Sequence, residues 1–336
     1  LKPQAQFCSV HLFLTMANNS MHCLSSQKDL GNILPPILIM EFLLGLPGNA
    51  VALWIFCFRM NLWKPSTVYL LNLVAADFLL IISLPFRIDN LMRGENWVFG
   101  DAMCRINLFM LAVNRSASIS FMTIIAIDRY FKVVHPHHFM NRLSAMQGAI
   151  ISGLMWALVL SLRIPLLTNQ LLYEHDNSSL CRSFSTYKEY SFGIKLHYVL
   201  YIAEFFLPLF LLLFCTFKIV WILKFRKMDK DRKVRRAIVV IGVIVGVFAL
   251  CFMPGIVTGI VTLLIQKYRP GDCVSFLTAS SLFSLSIGFT YLNSALDPVI
   301  YCFSSPLFTK TLKTAFNTLG WCHLEVDRRG SATSEG

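Results

Sequence analysis

The chain has 336 residues, 56% of them hydrophobic and 14% charged, with a mean hydropathy of +0.61. A water-soluble domain needs more polar surface than this, which excludes a soluble enzyme or binding module. The formal net charge of +12 would suit nucleic acid, but no separate basic domain carries it.

Seven apolar runs reach membrane-spanning length, at about 33–58, 66–92, 102–134, 144–166, 194–223, 234–266 and 275–303. All contain Pro, Gly or polar interruptions, which membrane helices tolerate when neighbours satisfy the freed backbone groups. The third run is long because it continues past the bilayer. After the seventh comes a short amphipathic stretch, "SPLFTKTLKTAFNTL" (305–319). The expected fold is therefore an all-α membrane protein, a seven-transmembrane helix bundle followed by a short amphipathic helix. Residues 1–32 form an outer N-terminus, 33–303 the bundle, and 304–336 the amphipathic helix and tail.

Basic residues gather in alternate loops: Arg59 and Lys64, Lys132 and Arg142, the stretch "KFRKMDKDRKVRR" at 224–236, and Lys310 and Lys313. The other loops mix signs, as with Arg93, Glu95 and Asp101 or Glu174, Asp176 and Lys188. This is the positive-inside pattern, and it places the N-terminus outside a plasma membrane and the C-terminus inside. The basic inner loop would meet anionic lipid. The sequons at Asn18 and Asn177 both fall on the outer side, which agrees with that orientation. "VHLFLTM" (10–16) is too short for a signal peptide core, so Met16 or Met21 is the expected natural start.

The ten cysteines sort by side. Cys57, Cys215, Cys251 and Cys302 lie in or near membrane runs and are expected as buried apolar residues. Cys104 opens the third run and Cys181 sits in the longest outer loop, on the oxidising side; a bridge between them would pin that loop over the bundle. Cys23 and Cys273 are candidates for a second bridge, which would leave Cys8 over, although sequence alone does not fix connectivity. Cys322, after the amphipathic stretch, is either an acylation site or a free thiol.

Arg115 stands alone in the apolar stretch "LFMLAVNRSASISF" (108–121). It lies about 16 Å below the outer end of its helix and within about 40° of Arg129 on the helical wheel. It therefore points into the bundle, where a charge without a partner is costly and usually functional. A guanidinium fork suits a carboxylate. Glu204 in the fifth run is the internal competitor for it, and Arg163 in the fourth competes for the same carboxylate or snorkels outward. Two deep cations and one anion favour an anionic ligand. Arg87, near the outer end of the second run, is a second anion contact, a funnel for acids, or a solvated rim charge. His135, His137 and His138 at the inner edge have no metal-ligand partners.

Motifs then line up in order along the runs: "GN" ending at Asn49, "LVAADFLL" with Asp77, "DRY" at 128–130, Trp156, Pro208, "CFMP" at 251–254 and "NSALDPVIY" at 293–301. Over nearly its whole length the chain resembles a rhodopsin-like (class A) G-protein-coupled receptor. "WKPSTVYLLNL", "LFMLAVNRSAS", "VVHPHH", "EFFLPL" and "FTYLNSALDPVIYCFSSP" resemble one branch of that class, which holds the hydroxycarboxylic acid, oxoeicosanoid and hydroxyeicosatetraenoic acid receptors.

The resemblance implies a carboxylate ligand, inhibitory (Gi/o) G-protein coupling, arrestin as a further partner, and no catalytic residues or cofactor. It implies that Arg115 anchors the acid. Ser183 and Phe184 would hang over the pocket from the bridged loop, and the Tyr291 hydroxyl would complete the carboxylate site. Leu111 would line the apolar wall, and Asn90 matches a rim position. Lactate-type and oxoeicosanoid-type receptors resemble this sequence at Arg87; the niacin type does not. In small-acid receptors an arginine follows the sixth-helix motif proline by five residues, and here that position is Gly259. The small apolar wall favours an oxidised fatty acid, at about 0.8 kcal/mol per buried methylene, with a small hydroxy acid as the alternative. A transporter of organic acids is the reading from another class; it predicts internal repeats, and none is visible.

Transmission is implied to run through Asp77, Ser118 and Asn293, which could hold a sodium ion, and through Asp297 and Tyr301. Pro208, Ile119 and Phe248 would repack on activation, and Phe252 replaces the tryptophan usual in the class. Asp128 would hold Arg129 at rest, and Val234 sits where some relatives place an acid, so no inner lock to Arg129 is expected. Outward movement of the sixth helix would expose Arg129, Tyr130, Arg235 and Arg236 to the G protein.

Overall fold

The computed structural model describes residues 30–60, 63–175, 178–182, 192–226, 232–269 and 271–318. Its helices are α1 (Leu30–Trp54, prolonged by a π-helical turn Ile55–Arg59), α2 (Pro65–Met92), α3 (Gly100–Val134), α4 (Ala145–Arg163, with a further turn Pro165–Thr168), α5 (Phe192–Arg226), α6 (Arg232–Tyr268), α7 (Cys273–Ser304) and α8 (Pro306–Thr318). Seven are long and apolar enough to cross a membrane, and α8 follows the seventh.

Local chemistry sets the ends. Pro65 opens α2 after an extended Lys64, a position that needs no N–H donor. Ser144 and Gln147 form a capping box at the head of α4. The Asp272 carboxylate accepts from the Ser275 N–H at 3.1 Å to start α7.

The outer faces are apolar: Leu154, Leu207 and Phe210 stand open on the bundle surface, as suits side chains that meet lipid rather than water. The inside is close-packed around Phe56, Phe121, Phe248, Phe252 and Tyr301. α1 and α7 meet at a bare point: a Cβ on Gly48 would lie 2.8 Å from the Pro298 ring.

The outer loop contains a short antiparallel hairpin, β1 (Leu172–His175) and β2 (Ser178–Cys181), with Leu172 opposite Cys181. Sequence reading misses it, since "LYEH" and "SSLC" lack alternating apolar residues. Cys181 is disulfide-bonded to Cys104 at the head of α3, as expected. The Trp97 backbone N–H donates to the Ser179 carbonyl at 2.8 Å, and Trp97 and both cysteines belong to one buried cluster. Cys273 is also disulfide-bonded. Cys23, Asn18, Asn177, Cys322, Met16 and Met21 lie outside the described residues.

One expectation needs correcting. Of the four membrane cysteines, Cys215 and Cys251 are buried, but Cys57 is exposed and Cys302 half-buried. Cys57 sits in the π-helical turn at the end of α1, on the bundle's outside. A thiol is apolar enough to face lipid there.

Candidate functional site

A cavity opens inside the outer half of the bundle and encloses about 900 Å³ of space, open solvent at its mouth included. Its lining gathers Arg87 from α2, Leu108, Leu111, Ala112 and Arg115 from α3, Arg163 from α4, His197 and Tyr201 from α5, and Phe283, Ile287 and Tyr291 from α7. Glu95, Cys181 and Arg182 complete it at the outer side.

Arg115 is buried and held three ways. Nη1 lies 3.4 Å from Glu204 Oε2, Nη2 donates to the Tyr201 carbonyl at 3.2 Å, and the guanidinium carbon is 4.0 Å from the Tyr201 ring centroid. The Phe252 ring lies further off, at 5.9 Å. Among the described residues the Arg115 Nε has no acceptor.

Arg163 is 1% exposed; it points inward and does not snorkel. Its Nη2 pairs tightly with Glu204 Oε2, and Nε and Nη2 donate to Ser116 Oγ at 3.1 and 2.8 Å. Arg163 Nη1 can only donate, so His197 Nδ1, 2.8 Å away, accepts and the ring is neutral. Ser116 Oγ lies 2.9 Å from both the Ala112 carbonyl and Glu204 Oε2, and its single proton serves one of them.

Charge does not balance around this cavity. Arg182 pairs tightly with Glu95 at the outer side, and Glu204 serves Arg163 and Arg115 together. Arg87, half-buried in the lining, has no ion-pair partner among the described residues. Among the described residues four arginines, Arg87, Arg115, Arg163 and Arg182, thus face two carboxylates, Glu95 and Glu204, a surplus of two positive charges. A low-dielectric pocket with such a surplus attracts an anion, and a carboxylate fits a guanidinium fork best.

Of the residues singled out from the sequence, Arg115, Arg163, Arg87, Leu111 and Tyr291 converge on the cavity. Glu204 stands behind Arg115. Asn90 is buried but not part of the lining. Ser183 and Phe184 lie outside the described residues. Sequence reasoning missed Ser116, His197 and Tyr201. The signal was there: His197 and Tyr201 precede Glu204 by seven and three residues, which places all three on one helical face. It also missed Glu41, a buried carboxyl in α1 whose Oε2 has no partner among the described residues.

Deeper in the bundle a polar core forms. Tyr301 Oη lies 2.7 Å from Asp77 Oδ2 and 3.2 Å from Asn49 Oδ1. Asn293 Nδ2 donates to Asp297 Oδ2 at 3.2 Å, and Asn114 Nδ2 to the Ala76 carbonyl at 3.0 Å. Asp77 and Asp297 are both buried in this core. Asp77 Oδ1, Asp297 Oδ1, Asn293 Oδ1 and Ser118 Oγ have no partner among the described residues. Two buried carboxyls and four spare oxygens suit a hard monovalent cation or a shared proton. Beside this core, Phe205 stacks on Phe248 at 5.3 Å and Phe248 meets Phe252 edge-on at 5.4 Å. Ile119 is buried next to them, and Pro208 lies within α5.

At the inner end Asp128 Oδ2 holds Lys132 Nζ at 2.7 Å and Arg129 Nε at 3.6 Å. Tyr130 packs on Phe214. Val234 is buried, Arg235 exposed, and Arg236 Nε donates to the Phe303 carbonyl at 2.9 Å.

Comparison with known proteins places this arrangement. Residues 48–301 match the family model for the 7 transmembrane receptor (rhodopsin family). The chain is 44% identical over 301 residues to hydroxycarboxylic acid receptor 2 of Rattus norvegicus, covering 89% of this chain and 82% of that receptor. It is 43% identical to human oxoeicosanoid receptor 1, covering 84% and 72%. It is 35% identical to the mouse 12-(S)-hydroxy-5,8,10,14-eicosatetraenoic acid receptor, covering 89% and 93%.

Proposed function

The chain belongs to the rhodopsin family of seven-transmembrane receptors, in its hydroxycarboxylic acid and eicosanoid receptor branch, and from that premise we propose that it is activated by a carboxylate ligand, an oxidised fatty acid of the oxo- or hydroxy-eicosanoid kind, and signals through inhibitory Gi/o proteins. Membership makes it a multi-pass plasma-membrane receptor with a small-molecule ligand and a G-protein partner, not an enzyme. Arrestin is the expected second cytoplasmic partner.

The observation that carries the ligand class is the surplus of two positive charges, among the described residues, around a mostly apolar cavity that Arg115 lines. Arg115 binds Glu204 at 3.4 Å only, while Arg163 holds the same oxygen more closely. An incoming carboxylate can therefore take the Arg115 fork without stripping Arg163 of its counter-charge. Tyr291 and Arg87 would bind further oxygens of the acid. Binding favours the state in which α6 swings outward and frees Arg129 from Asp128. A sodium ion held by Asp77, Ser118 and Asn293 would favour the resting state.

The deep cluster of arginines also favours a second reading, a small hydroxy acid held entirely by charge. The deciding experiment is G-protein activation by lactate, 3-hydroxybutyrate, 5-oxo-eicosatetraenoic acid and 12-hydroxy-eicosatetraenoic acid on wild type and Arg115→Ala. The C20 acids should activate at the lower concentration, and Arg115→Ala should abolish the response. An unchanged potency in the variant overturns the anchor, and a response only to the small acids selects the second reading.

A further inference from the structure

A second space, about 380 Å³ with open solvent included, lies between α5 and α6. Ile202 from α5 and Ile260 and Leu263 from α6 line it, with Gly259 at its back. It shares two residues with the main cavity, Tyr201 and Phe283. Their rings meet edge to face, 6.1 Å between centroids at 79°, and form the partition between the two spaces.

That partition leans on bare backbone. A Cβ on Gly259 would lie 3.1 Å from the Phe283 ring and 3.5 Å from Tyr201. One turn away, a Cβ on Gly255 would lie 2.9 Å from the Tyr201 hydroxyl. Any side chain at 259 would push into the partition or fill the cleft behind it. The Thr262 hydroxyl, in the lining, donates to the Thr258 carbonyl at 2.8 Å, so it makes no polar demand on an occupant.

From Arg115 a long ligand has two ways to go. Within the main cavity the lining mixes Leu108, Leu111 and Ile287 with the charged Arg87, Glu95 and Arg182. Sideways, only the Tyr201–Phe283 partition separates the ligand from a mostly apolar cleft, which a tail would enter by turning those rings aside. A hydrocarbon tail gains more by the second route, which carries no charged side chain among the described residues of its lining. The same tyrosine that stacks on the Arg115 guanidinium walls the cleft, so the anchor and the partition are mechanically joined. The cleft lies near the bundle's apolar outer surface, where Val257 and Val261 on α6 and Phe206 on α5 are exposed.

Resting on the carboxylate reading above, we propose that the α5–α6 cleft receives the hydrocarbon tail of the acid anchored at Arg115, and that Gly259 sets the chain length the receptor accepts. The cleft faces the outer leaflet, about 14 Å below the end of α6 at 1.5 Å per residue, so the tail lies towards the bilayer from which a lipid acid would come.

The test uses the full-length receptor in cell membranes, with surface expression measured for each variant. Straight-chain 3-hydroxy acids from C4 to C20 and 12-hydroxy-eicosatetraenoic acid are assayed for G-protein activation. Wild-type potency should rise with length, up to about fourfold per added methylene. Gly259→Leu, and Leu263→Trp at the other side of the cleft, should each lower the potency of C16 to C20 acids at least tenfold. They should leave C4 to C8 within twofold. The milder Gly259→Ala should shift the optimum to shorter chains if the leucine variant fails to reach the surface. Equal losses at every length, which a bilayer lipid seated in the cleft would give, overturn the proposal, as do unchanged C20 potencies. If Arg115→Ala abolishes all responses while the cleft variants change nothing, only the cleft inference falls. If no acid activates the wild type, both readings fall.

Discussion

Arg115 and Tyr201 are bound twice over: the guanidinium lies 4.0 Å from the ring centroid, and its Nη2 donates to the carbonyl of the same tyrosine. A flexible arginine is thereby fixed on α3 against α5 with one nitrogen, Nε, still without an acceptor among the described residues. Pre-ordering of this kind lowers the entropy a ligand must remove on binding.

Tyr201→Leu should therefore weaken an anchored acid, because it removes the ring that lies on the guanidinium. A cation–π contact contributes about 0.5–2 kcal/mol, so the expected loss is about 2- to 30-fold in potency. Tyr201→Phe keeps the ring and should stay near wild type. Concentration–response curves on the two variants make the comparison, and equal losses in both would assign the effect to the hydroxyl instead.

Arg115→Ala should cost about 3 kcal/mol or more, two charge-assisted hydrogen bonds' worth, and so at least about 100-fold in potency. Arg115→Lys should recover only part, because an ammonium cannot offer the planar fork. Radioligand competition distinguishes lost affinity from lost signalling.

Glu204→Gln should harm the fold more than the ligand site. It leaves Arg163, 1% exposed, without its counter-charge, a defect of about 3–5 kcal/mol. Surface expression and thermal stability in detergent should fall sharply. Adding Arg163→Met should restore much of both, since removing a buried pair together is far less costly than breaking it.

Asp77→Asn should abolish any effect of sodium on agonist affinity, measured by exchanging sodium for choline chloride. Serine and asparagine oxygens remain in place, but the carboxylate that fits a hard cation is gone. Sodium sensitivity that survives the substitution would place the ion elsewhere.

Cys104→Ala or Cys181→Ala should each unpin the hairpin from α3 and cost about 2–4 kcal/mol. The double variant should be no worse than either single one, as read from the surface-expressed fraction.

Span positions were legible because a bilayer imposes length and polarity on each helix independently. The inward aim of Arg115 followed from helical periodicity alone. The direction of Arg163 did not, since an arginine near a helix end can reach inward or outward with equal ease, and only the arrival of Ser116, His197 and Glu204 from other helices decides it. The hairpin was invisible because its pairing rests on backbone bonds and one disulfide rather than on patterned side chains. The cleft between α5 and α6 depends on the absence of a side chain at Gly259 facing two rings from other helices, and no local pattern carries that.

The contact between Gly48 and Pro298 bears on how inherited changes in this protein would present. Position 48 reaches neither the cavity nor the cytoplasmic face, so by distance it looks tolerant. Yet even a methyl group there would sit 2.8 Å from a proline ring that cannot turn aside, and the segment of α7 it would displace carries Asp297 and Tyr301. A carrier's receptor would be present in the genome with every recognition residue intact and still fail at assembly. Such a variant is one for a folding chaperone or a stabilising ligand to rescue, not for a stronger agonist.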